Sequence, residues 1–235
     1  MYILNYLTFL KKVVKYNGIG GTFKTIMFNF RYFPLYLAWK LPVTMTSKVK
    51  VRNMHRGGIV LKNCGGWGIL CLGGIDKEYC YDHDSVINIL GTLVLDGSGW
   101  RCFAPGAIIY VGDGATLTIG KDFSSSHDLK IYCRHKITIG NDNMWSYYNV
   151  VMDNDGHYIY DETGNHINSN SEVIFGNHVW MGCRCTVLKG SIIPDGSIVG
   201  SNSQVREKLT CRNAIYAGNG PVVIKENISW DRNLI

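Results

Sequence analysis

FGNHVWMGCRCTVLKGSIIPDGSIVGSNSQVREKL, residues 175–209, repeats every six residues. Phe175, Met181, Val187, Ile193, Val199 and Val205 stand in register, and Val179, Cys185, Ser191, Ser197 and Ser203 fall four places after successive members. An amphipathic helix brings its apolar face round about every 3.6 residues and cannot hold this spacing. A six-residue unit suits a short flat strand, a corner and the next strand. One apolar side chain per face then points inward and small residues line the corners, which describes a coiled parallel solenoid.

The register extends upstream through Ile139, Trp145 and Val151. From Val151 to Phe175 is 24 residues, four whole hexads, across a polar stretch that breaks the pattern, so a loop is expected to be inserted over 153–172. Weaker hexads include the run from Leu93 and the series Val111, Leu117, Phe123, with Gly106, Gly112, Gly114 and Gly120 available for corners that need positive φ. This reading divides the chain into a head (1–56), a coil (57–222) and a C-terminal tail (223–235).

Charge sharpens the division. Residues 1–56 hold ten Lys or Arg and no Asp or Glu, leaving 14 basic against 18 acidic residues in the remainder. The net +6 thus belongs to a basic head on a mildly acidic body. Tyr2, Tyr6, Phe9, Tyr16, Phe23, Phe28, Phe30, Tyr32, Phe33, Tyr36 and Trp39 are interleaved with that charge. The head reads first as a helical cap that closes the first coil, as exposed solenoid ends require. Contact with a membrane surface is compatible with that role. Lys24, Arg31 and Lys40 interrupt the apolar run before the roughly 20 residues that a bilayer span needs. Lys11, Lys12 and Lys15 after the first apolar stretch, with no small-residue cleavage site, argue against a secretory leader. A cytoplasmic protein is expected, peripheral at the inner membrane face if the head meets lipid.

Eight cysteines, including Cys80, Cys183 and Cys185, occur without CxxC pairs and read as reduced packing residues, with no metal site expected. Basic and aromatic residues mix without a nucleic-acid reading module, so no nucleic-acid partner is expected. In the insertion, Asp153-Asn-Asp-Gly-His157 and His166 offer imidazoles on a loop projecting from a rigid scaffold, and a histidine's ordinary pKa suits proton transfer near neutrality.

The strings IGNDNM, DGH, FGNHVWMG, LKGSIIPDGSIVGSNS and IYAGN, within residues 131–224, resemble the hexapeptide-repeat acyltransferases of left-handed parallel β-helix fold, especially the bacterial sugar and polysaccharide O-acetyltransferases related to maltose and galactoside acetyltransferases. The left hand comes from that resemblance, since crossovers elsewhere are overwhelmingly right-handed. The resemblance implies an acetyl-CoA-dependent enzyme in which His157 takes the proton of an acceptor hydroxyl. Asp155, Asp161 or Glu162 would orient the ring. It places Trp180 and Gly182 beside cofactor and acceptor, and Ser201, Arg206 and Lys225 as cofactor contacts. The motif departs where the usual Thr-Lys reads Arg206-Glu207 and where Pro221 stands one place late. The resemblance further implies a homotrimer with composite sites and a sugar or glycan acceptor. An N-acetyltransferase on an amino sugar and a non-enzymatic solenoid scaffold are the alternatives. A γ-type carbonic anhydrase is disfavoured because no two histidines are five apart.

Overall fold

The structure, a computed structural model, describes residues 2–74 and 83–233, with side chains from residue 5 onward. Cys80 and the side chain of Tyr2 lie outside the described residues. Three sheets of nine, seven and six strands form among them, parallel except for one final antiparallel pair, and through Thr186–Val187 each strand pairs with the strand three places on in sequence. One coil therefore contributes a strand to each of three faces. Val150–Met152, for example, lies on the second face between Lys130–Cys133 and Thr186–Val187. The architecture matches a left-handed parallel β-helix.

The hexad residues fill the prism. Phe175, Met181, Val187, Ile193, Val199 and Val205 are all buried, as are the corner residues Val179, Cys185, Ser191, Ser197 and Ser203. Vertical ladders join them: Val151 pairs with Val187, and Val187 with Val205. Along the first face Phe103, Phe123 and Trp145 form a ring column, and across the interior Trp145 meets Phe175 of the third face with centroids 4.5 Å apart.

The corners follow a mixed rule. Gly106 and Gly114 have the expected positive φ, but Gly112 and Gly120 do not. Gly120 instead serves close stacking, since a Cβ there would stand 2.6 Å from Gly140. Many left-handed corner positions are held by polar residues such as Asp128, Asp142 and Asn202, which tolerate that conformation through local hydrogen bonding.

The coil begins at Val43–Met45, upstream of the expected start near residue 57. Val43, Met45 and Val49 point inward and are fully buried, while Lys48, Lys50 and Arg52 between and after them point out. The kinked helix Tyr2–Tyr32 covers this first strand as the expected cap. Asn29 exchanges hydrogen bonds with the main chain of Val43, and Thr25 does so with Met45. Gly21 sits where a Cβ would meet the Met45 carbonyl at 2.9 Å. The helix thus satisfies an open strand edge that would otherwise invite pairing.

The tail is built into the fold. After Val222–Lys225 pairs antiparallel with Ile215–Ala217, the chain runs back as a strap. The Trp230 ring stacks on His178 at 4.0 Å. Arg232 donates to the Asp142 carboxylate, the Ser124 hydroxyl and the Asp122 and Asn143 carbonyls.

Candidate active site

The register break appears as a loop spanning 153–172, between Val150–Met152 and Val173–Phe175, at the edge joining the second and third faces. Its root is fixed by Asp153. The buried carboxylate accepts the main-chain N–H groups of Arg134 and His135, each at 2.8 Å, on the preceding coil. Asn154 donates to the Tyr132 carbonyl at 3.1 Å. Replacing Asp153 with Asn would set an amide NH2 against a main-chain donor. Such an unmet buried group costs about 1–3 kcal/mol. We expect Asp153→Asn to lower the denaturation midpoint and to make the loop an early proteolytic cleavage site.

Beyond the root, Gly156 at φ 79 turns the chain outward and presents His157. Asn168 clasps the loop. Its Nδ2 donates to the His157 carbonyl at 2.8 Å and to Asp155 at 2.9 Å, and its Oδ1 accepts from the Ile159 N–H at 2.7 Å. Lys189, on the next coil, binds Asp155 and the carbonyls of Asn168 and Ser169. The ammonium beside it, together with Asn168, holds the Asp155 carboxyl below the usual carboxylate range.

At the loop tip Asp161 accepts from Thr163 and Asn165, bonds that hold its carboxyl down to about 2. Its support of the turn is complete above an ordinary aspartate pKa of about 3.9 and fades as pH falls through the folded value. A carboxyl-carbon NMR titration should place the Asp161 midpoint near 2. Asp155 and Asp161 are therefore committed to loop architecture. Among the described residues neither of them, nor Glu162, hydrogen-bonds the His157 ring.

His157 is exposed and borders a polar cleft of about 360 Å³, with Arg134, Tyr158, His166 and Asn170. An adjoining hollow of about 420 Å³ shares Arg134, Asn154, Asp155 and Gly156 and is floored by Tyr110, Tyr132 and Met152. These three stand in register on the outer side of the second face, and the Arg134 guanidinium lies 5.4 Å from the Tyr110 ring centroid. The sequence reading missed Arg134, Asn168, Lys189 and the Tyr110–Tyr132–Met152 floor. Only the pairing of successive coils brings them together.

The remaining candidates lie elsewhere on the prism. Trp180 is exposed on the first face. Gly182 follows it at the next edge, where a Cβ would meet Ser201 N at 2.6 Å, so coil stacking accounts for this glycine; Ser201 Oγ accepts the Cys183 N–H at 3.2 Å. Arg206 is exposed on the same edge as the loop, two coils further on by the Val151, Val187, Val205 ladder. Lys225 is exposed on the last strand of the first face. The chain therefore gathers Trp180, Gly182 and Ser201 on one side of the prism and His157 on another. His178 occupies a corner at φ 56, tied to Asp142 at 2.6 Å and to the strap. The described cysteines are free thiols. Burial pushes Cys185 up to about 11 and Cys133 further still, with Asp153 adding to the latter, which keeps both unreactive.

Coil, insertion and histidine-bordered cleft together carry the chain's resemblance to the hexapeptide-repeat sugar and polysaccharide O-acetyltransferases, and comparison with curated proteins bears it out. The chain is 30% identical over 130 residues to galactoside O-acetyltransferase of Escherichia coli (strain K12), covering 53% of this chain and 61% of that one. It is 38% identical over 108 residues to polysialic acid O-acetyltransferase of Neisseria meningitidis, covering 46% and 50%. The matches thus span about half to three fifths of these relatives. Among solved structures, the polysialic acid O-acetyltransferase OatWY aligns with a TM-score of 0.46 at 23% identity, over 82% of this chain and 88% of that one. No family model matches the chain.

Proposed function

We propose that this chain is an acetyl-CoA-dependent O-acetyltransferase acting on a sugar or glycan intermediate, with His157 as general base. The observation that carries the reading is the position of His157. It stands in a DGH string at the rim of a cleft, on a loop clasped to the coil by Asn168 and Lys189. The imidazole accepts the hydroxyl proton as the acceptor oxygen bonds to the thioester carbonyl carbon. The C–S bond then breaks, and the coenzyme thiolate leaves with the proton that His157 returns. The Tyr110, Tyr132 and Met152 floor offers an apolar shelf for the face of a sugar ring, with Arg134 at its rim for polar substituents. Ser201, Arg206 and Lys225 provide an exposed hydroxyl and two cations suited to a phosphate-bearing donor.

Because Trp180, Gly182 and Ser201 lie on a different side of the prism from His157, the reading includes a homotrimer about an axis parallel to the coil, in which one protomer's loop faces its neighbour. The loop's outward Tyr158, Ile159, Tyr160 and Ile167 are exposed apolar groups that such a neighbour would cover. Sedimentation should find a trimer at micromolar concentration, and a monomer would remove the composite site.

The activity is tested by thiol release from acetyl-CoA against a panel of sugars and glycan intermediates. Mass spectrometry of the product before and after mild base follows, since base cleaves an ester and spares an amide. A base-stable product would reassign the chain to N-acetylation. No calorimetric binding of acetyl-CoA at millimolar concentration would leave a scaffold in place of an enzyme.

A further inference from the structure

The N-terminal helix has two unlike sides. Its inner side, with Val13, Thr25, Phe28 and Asn29, is buried against the first coil, and Phe9 stacks on Trp67 at 5.9 Å. Its outer side is apolar as well. Ile19, Phe23, Ile26 and Met27 follow one another at helical spacing, with Ile19 86% and Phe23 67% exposed. The stripe continues through Phe30, whose ring meets Trp39 edge-on at 4.9 Å, to exposed Leu35 and Tyr36. A contiguous exposed apolar surface of this kind marks an interaction site. Exposed Lys11, Lys12, Lys15 and Arg31 accompany it, and residues 1–56 contain no carboxylate side chain.

We propose that this stripe rests on a membrane surface carrying anionic lipids. Among the described residues no helix is long and apolar enough to cross a membrane, so the helix would lie in the interfacial plane. Its stripe would enter the acyl boundary while Trp39 and Tyr36 sit at headgroup level. The kink at Gly18, φ 68, sets the lysine-rich first half at an angle to the stripe. Charge selects the occupant. Packing two copies of this head together would bring basic surfaces face to face with no acid to offset them, whereas each Lys or Arg near an anionic bilayer strengthens binding about fivefold. The proposal does not depend on the acetyltransferase reading.

Flotation of the full chain with vesicles tests it. Binding is expected to phosphatidylcholine vesicles containing about 30% phosphatidylglycerol at roughly 0.1 M salt, with little binding to phosphatidylcholine alone and strong weakening by about 1 M salt, where screening is nearly complete. Phe23→Ser with Met27→Ser should reduce binding at least about tenfold through lost apolar burial. Replacing Lys11, Lys12 and Lys15 with Gln should reduce it by a similar factor or more. These side chains are exposed, so circular dichroism and thermal unfolding should be unchanged. Failure to bind anionic vesicles, or binding that the Phe23 and Met27 changes leave intact, overturns the proposal. A smaller oligomer in Phe23→Ser/Met27→Ser without vesicle binding in the parent would assign the stripe to protein association and equally overturn it.

Discussion

His157→Ala should lower kcat for acetyl transfer by roughly 10²- to 10⁴-fold, the usual contribution of a positioned general base, while leaving the unfolding midpoint nearly unchanged. The second half of that expectation follows from the hydrogen-bond pattern. Asn168 holds the loop through the His157 carbonyl, which alanine retains, and the exposed ring makes no bond to another described residue. Exposed substitutions of this kind usually stay within about 0.5 kcal/mol. His166→Ala provides the contrast. The His166 ring bonds Asn168 at 2.9 Å and packs edge-on to Tyr158 at 5.0 Å, so its loss should loosen the clasp and raise KM with a much smaller fall in kcat. Both variants are measured on the acceptor identified by thiol release. Full turnover by His157→Ala would end its assignment as base and leave the enzyme class to be judged separately.

Trp145→Ala should be the most destabilising single change in the coil. The indole is fully buried between Phe123 and Phe175, and truncating such a side chain to alanine costs about 3–5 kcal/mol in transfer energy and cavity. For a chain of this size that corresponds to a fall in Tm on the order of 10 °C. Trp145→Phe should be far milder, about 1 kcal/mol, because the buried indole N–H has no hydrogen-bond partner among the described residues and removing it relieves a desolvation cost. Denaturant unfolding of the two variants side by side checks the ratio. Equal losses would mean that the cavity is not what matters there.

The coil was legible because a prism face needs only one inward residue every six positions, and Phe175 to Val205 keep that rule without a gap. Its start was not. Val49 and partly buried Val51 alternate with outward Lys48, Lys50 and Arg52, so the positive charge of the head concealed the start of the coil. The insertion announced itself by the lost register, and with it His157. Its supports did not, because Arg134, Asn168 and Lys189 meet only when separate coils stack, and polar residues within an insertion carry no period of their own. The strap was equally hidden: Arg232 reaches Asp122 across 110 residues of sequence, a separation that no local pattern encodes.

That strap alters how the prism should come apart. In a solenoid whose repeats touch only their neighbours, the terminal turns can unzip one at a time. Here Trp230 and Arg232 are anchored at His178, Asp142 and Asp122, so the C-terminal turns cannot peel away until those two side chains let go. Amide exchange from about residue 180 onward should then proceed as one event, and clipping the chain before Trp230 should break it into a graded fraying from the end.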